Sequence, residues 1–125
     1  MILADTNIII DFWKFGSPED KSIFQNYDVF ISGITIAELM HGAKSEHDKL
    51  RIIKALEAFP IVSISGKNTW EKLGNILYIL KISGITVPFQ DALIATLAIE
   101  YELKLWTLDK HFKLIKTVLP ELTIL

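Results

Sequence analysis

The chain has no cysteine. That excludes a disulfide framework, thiolate chemistry and a zinc–sulfur centre, and it is compatible with a reducing compartment. An excess of charge of one sign is also missing: 13 Lys and Arg stand against 15 Asp and Glu, a formal net charge of −2. A large basic footprint for nucleic acid is therefore absent, and a polyanionic partner would need metal ions to supply much of the attraction. Long apolar runs are lacking too. The richest, Ile76-Leu77-Tyr78-Ile79-Leu80, is far too short for a membrane span, so no membrane association is expected. Met1-Ile2-Leu3-Ala4-Asp5 has neither a charged n-region nor a long apolar h-region, so no secretory signal is expected, and a cytoplasmic location is. There is no GxxxxGK[ST] phosphate loop and no GxGxxG, which leaves a nucleotide cofactor unsupported. No repeat, low-complexity segment or linker interrupts the chain.

What is present is a globular composition, 50% hydrophobic and 22% charged over 125 residues. That suits one domain spanning 1–125 with one core. Short apolar runs predict strands at Ile2-Leu3-Ala4, Asp28–Ser32, Pro60–Ile64 and Leu103–Leu108, with an edge strand at Leu122–Leu125. Between them lie helical patterns over Thr6–Trp13, from Pro18, over Glu46–Phe59 with Leu50, Ile53 and Leu56 as its apolar face, and over Thr69–Ile82. Thr35-Ile36-Ala37-Glu38 matches a capping box opening a further helix after a turn at Gly33. Asp109 would cap a last helix through Lys116. Strands alternating with helices give an α/β class with a mostly parallel central sheet between helical layers.

One stretch is anomalous. A helix opening at Pro88 has Thr96 as its only polar side chain from Ala92 to Ile99, the pattern of a buried helix. Yet Asp91 leads it, on the face shared with Ile94, Ala95 and Ala98. A carboxylate heading a buried apolar stripe is costly unless its charge is compensated. Ligands of such sheets bind beyond the carboxyl ends of the strands. Asp5 ends the first strand, Glu38 lies in the first turn after the second, and Asp109 follows the fourth. With Asp91, all can project toward one edge.

Each acid has an ordinary explanation. Asp5 and Asp109 suit helix N-caps, Asp91 suits a helix N-terminus, and Glu38 suits the capping box. Together they are harder to dismiss, because clustered carboxylates repel one another unless a cation joins them. Oxygen-only ligands suit Mg²⁺ or Mn²⁺, and such a site supports phosphoryl chemistry. Thr6, Asn7 and Thr107 sit beside the acids and can orient water or ligand side chains, or serve only turns and caps. His41, His47 and His111 show no metal-ligand spacing and read as surface or packing residues. Trp13, Trp70 and Trp106 read as core.

The segments Leu3-Ala4-Asp5-Thr6-Asn7, Ser32–Leu39 with Gly42-Ala43, Asp91–Ala95 and Thr107–Phe112, in that order, resemble a PIN domain, most closely a VapC-type toxin of a toxin–antitoxin pair. The resemblance covers essentially the whole chain. It implies a Mg²⁺- or Mn²⁺-dependent endoribonuclease whose acidic, metal-holding site is Asp5, Glu38, Asp91 and Asp109. It also implies a homodimer, an RNA substrate and inhibition by a cognate antitoxin docking near the groove. Met40-His41 stands where many relatives carry a basic residue, leaving Lys44 or Lys110 as substitutes for a phosphate contact. The rival readings are a PIN-like RNA-processing nuclease outside toxin–antitoxin systems, and a non-catalytic α/β binding module whose acids only cap helices.

Overall fold

The computed structural model describes residues 1–125. Its sheet is built from β1 (Ile2–Ala4), β2 (Val29–Ser32), β3 (Ile61–Val62) and β4 (Lys104–Trp106). All pair in parallel, in the order β3-β2-β1-β4. Parallel neighbours require crossovers, and helices supply them. α1 (Thr6–Phe15) and α2 (Pro18–Asn26) join β1 to β2; α3 (Gly33–His41) and α4 (Glu46–Leu56) join β2 to β3. α5 (Lys67–Ile82) and α6 (Phe89–Glu100) lead to β4, and α7 (His111–Val118) follows it.

Alternation along the strands divides the core into two layers. Ile2, Ala4, Ile31 and Trp106 bury against Ile8 and Ile9 of α1, Leu39 of α3, and Ile52 and Leu56 of α4. Leu3, Val62 and Leu105 face the other way, onto α5, α6 and α7. The result is the expected α/β/α sandwich. The chain steps outward from β1 to β2 to β3, then crosses back to place β4 on the other side of β1. The strand order therefore reverses between β1 and β4, and a crevice at the carboxyl ends of such a pair is where ligands bind.

Several local expectations are corrected. No turn separates β2 from α3. Ser32 is the N-cap, without a side-chain cap bond, and Gly33 is already helical. Thr35 thus lies inside the first turn, where its hydroxyl is buried against Thr6, and the Thr35–Glu38 capping box is not formed. α4 ends at Leu56 rather than Phe59, and Ile52 and Leu56 form its inward stripe. Leu50 is 56% exposed, because two positions before Ile52 is about 200° around the helix. On α5 the buried face is Thr69, Leu73, Ile76 and Leu80, so Trp70 turns outward. Trp13 is also partly exposed and outside the core, and of the three only Trp106 is core. The expected C-terminal strand is reduced to one parallel bridge, Leu105 with Ile124.

Candidate active site

α6 positions the first acid. Pro88 is its N-cap in extended conformation, rather than its first helical residue. Asp91 through Ala98 are all buried. Ala92, Ala95 and Ala98 present so little side chain that α6 lies close under the sheet and against α5 and α7. Thr96 returns its hydroxyl to the carbonyl of Ala92 at 2.7 Å, so the one polar side chain in the buried run satisfies itself locally.

Asp91 has no such outlet. Its side chain is 13% exposed, and the only basic group within 4 Å is Nδ1 of His111, 3.7 Å from Oδ2. No hydrogen bond reaches either oxygen. Burial, then the charges of Asp109 and Asp5, push its pKa up to about 6; His111 opposes the rise and Glu38 adds to it.

The other acids are held firmly. Asp5 follows β1 and is the N-cap of α1: Oδ1 accepts from Thr6 N at 2.8 Å. Its Oδ2 accepts from Thr107 Oγ1 at 2.8 Å. Burial raises the Asp5 pKa; the Thr107 and Thr6 hydrogen bonds oppose this, and Glu38 and Asp109 reinforce it. Thr107 Oγ1 also accepts from Asp109 N at 3.0 Å, so one hydroxyl ties the acid after β1 to the acid after β4. Asp109 Oδ1 accepts from His111 N at 2.9 Å. This carboxylate thus secures the start of α7, although the helix proper begins at His111.

Glu38 projects from α3, and its Oε1 accepts from Thr6 Oγ1 at 3.0 Å. Thr6 and Thr35 hydroxyls are 3.0 Å apart. Each hydroxyl has one proton, so when Thr6 donates to Glu38, Thr35 donates to Thr6. Asn7 Oδ1 accepts from Leu108 N at 3.2 Å and fastens the β4–α7 connection to α1. The three polar residues named from sequence therefore orient the acids or the loop that carries one of them.

Asp5, Glu38 and Asp109 thus lie with Asp91 at the carboxyl edge of the sheet, close enough to raise its pKa, and of the four it is Asp91 and Asp109 that share a close group of ligand atoms. His111, a surface residue as expected, reaches these acids from the first turn of α7. Its Nδ1 is 3.1 Å from Asp109 Oδ1, and Asp91, Asp109 and His111 offer ligand atoms within 4.8 Å of one another. The signal for it was local: a histidine in the first turn of a helix whose preceding acid is a candidate ligand. Its approach to Asp91 depends on how α7 packs on α6, which spacing does not reveal.

This donor set fits a divalent cation. It is dominated by carboxylate oxygens, as hard cations require, and the buried Asp91 among them accepts no hydrogen bond.

A family model of the PIN domain matches residues 2–117. The chain belongs to the PIN domain family. Among solved structures, this PIN domain is similar to a toxin–antitoxin complex from Klebsiella pneumoniae, with 31% identity, 90% of each chain covered and a TM-score of 0.68. It is also similar to VapBC2 from Rickettsia felis bound to a DNA fragment from its promoter, with 25% identity, 100% of this chain and 98% of that chain covered, and a TM-score of 0.83. VapBC-1 from nontypeable Haemophilus influenzae shares the fold, with 24% identity, coverage of 100% and 97%, and a TM-score of 0.84. No match is found among curated proteins. No helix is long and apolar enough to cross a membrane.

Proposed function

We propose that this PIN domain is the toxin of a VapC-type toxin–antitoxin pair and a Mg²⁺- or Mn²⁺-dependent endoribonuclease. The observation that carries the proposal is the buried Asp91 carboxylate, without a hydrogen bond, facing Asp5, Asp109 and Glu38 at the sheet's switch point. Asp5, Asp91 and Asp109 would hold the cation. When bound, it supplies a water of lowered pKa and stabilises the attacking and leaving oxygens of a phosphodiester. Glu38 keeps one carboxylate oxygen beyond its Thr6 bond for the cation or for positioning the attacking water. The hydroxyls of Thr6 and Thr107 keep the carboxylates from rotating away. Lys110 and Lys113 rim a hollow of about 160 Å³ that also includes Asp109. Beside Asp109, they would meet the phosphates of a bound RNA.

The cognate antitoxin would dock in a groove of about 370 Å³ whose lining includes Ile10, Trp13, Leu39 and Ile52, with Glu38 beside them. An amphipathic helix suits such a groove. Tyr78 and Ile82, one helical turn apart on α5, are exposed and suit the contact between copies in a homodimer.

Defined RNAs incubated with purified protein should be cut internally with Mg²⁺ or Mn²⁺, left intact with chelator, and left intact by Asp91→Asn. Full cleavage by that variant would sink the assignment. A small reading frame beside the gene whose product binds this chain and stops cleavage separates the toxin from an RNA-processing nuclease.

A further inference from the structure

The acidic site is not built of oxygen alone. His111 Nδ1 lies 3.1 Å from Asp109 Oδ1 and 3.7 Å from Asp91 Oδ2. Two donors each about 2.1 Å from one cation, at right angles, are about 3.0 Å apart. The imidazole nitrogen and the Asp109 oxygen thus have the separation of neighbouring ligands on a single ion. The Asp91 carboxylate that completes the group is about nine-tenths buried and accepts no hydrogen bond. His111 itself is half exposed, so hydrophobic packing does not dictate where its ring lies. Phe112, the next residue, anchors α7 in the core together with Ile115.

We propose that His111 is a nitrogen ligand of the site's cation and biases the site toward Mn²⁺ and later transition metals over Mg²⁺. This rests on the metal-dependent reading above and sharpens it. Mg²⁺ favours an all-oxygen shell and retains its waters. Imidazole suits transition metals, whose affinity for mixed nitrogen and oxygen donors rises from Mn²⁺ to Ni²⁺. The competing account is a plain hydrogen bond from the ring to Asp109, which would stiffen the site for every cation alike.

Calorimetric titration of the intact protein with Mg²⁺, Mn²⁺ and Ni²⁺ separates these accounts, with melting curves verifying that each variant is folded. Wild type should bind Ni²⁺ at least about tenfold more tightly than Mg²⁺. His111→Ala should lose about tenfold or more in Ni²⁺ affinity, the least that loss of a supporting ligand costs, and under about threefold in Mg²⁺ affinity. His111→Asn, which returns an oxygen near the Nδ1 position, should restore Mg²⁺ binding but not the Ni²⁺ preference. Equal losses for all three cations, or none, overturn the His111 assignment while leaving the metal site standing. A wild-type protein that binds none of them overturns the metal-dependent reading as well.

Discussion

Replacing Asp91 by asparagine should stabilise the metal-free protein at neutral pH while abolishing cleavage. An acid whose folded pKa is raised binds more protons folded than unfolded, so its contribution to stability falls as pH rises. For Asp91 the loss begins near the ordinary 3.8 and is complete above the folded value of about 6. The full difference corresponds to about 3 kcal/mol at most. Solvent reaches the mouth of the site and screens part of it, leaving about 1–2 kcal/mol. Asparagine also forgoes the attraction of a carboxylate for a helix N-terminus, about 0.3–1 kcal/mol. No side-chain hydrogen bond is lost, because Asp91 accepts none. The net gain is about 1 kcal/mol, or a rise of about 3–5 °C in Tm for a chain of this size.

The assay is thermal unfolding followed by circular dichroism, with chelator present, for both proteins at pH 7 and pH 4. The variant should melt higher at pH 7, and the gap should close toward pH 4, where the folded wild-type carboxyl is neutral. Comparing the two at each pH cancels acids that do not interact with Asp91; Asp5, Asp109 and Glu38 do interact with it, and the repulsion they lose in the variant adds to its gain at pH 7. With Mn²⁺ added the order should reverse, since only wild type gains binding energy from the cation. A variant less stable than wild type at pH 7 without metal would refute the reasoning, and would make Asp91 a structural partner of a group not identified as one.

Thr107→Val removes the bond to Asp5 Oδ2 and the acceptor for Asp109 N; it should cost about 1–3 kcal/mol in urea unfolding and weaken Mn²⁺ binding. Ala95→Leu adds volume at a position with no exposure and should cost about 1–3 kcal/mol by overpacking, read as a lowered denaturation midpoint. Trp13→Ala should lower the Tm of the free chain only slightly, because the residue is 41% exposed and lies outside both core layers. The same change should weaken the antitoxin complex by about 2 kcal/mol, read by titration.

Much of this was legible in the sequence because a parallel α/β fold writes its topology into alternation. The strand at Ile2–Ala4 and the helices from Thr6 and Pro18 fall where apolar runs, caps and breakers put them. The acids of the site were legible for the same reason: each follows a strand or heads the buried helix. What spacing could not give was any relation between elements. Trp70 and Leu50 are apolar residues at helical spacing, yet they miss the buried stripe by a large rotation. The end of the chain reads as a strand but finds only a three-residue neighbour to pair with. The Thr35–Glu38 pair matched a capping box, but α3 opens at Gly33, so these side chains turned to Thr6 instead.

The ordinary and the catalytic accounts of these acids are not exclusive. Parallel strands end, and their helices begin, at the same edge, so an acid that caps a helix there is already aimed at the crevice. Asp5 caps α1 and Asp109 holds the start of α7, and each of those bonds fixes a carboxylate rotamer. A ligand that must not move benefits from such fixing. Capping therefore cannot count against a metal role for either residue, nor for it. Asp91 is the residue that discriminates. It satisfies no backbone group, sits where burial penalises its charge, and has its neighbours' negative charges turned toward it. A helix that needed only to be buried would carry alanine or leucine there. Burial and the neighbouring acids penalise the charged carboxylate without a cation, and a cation among these acids would turn that penalty into binding energy.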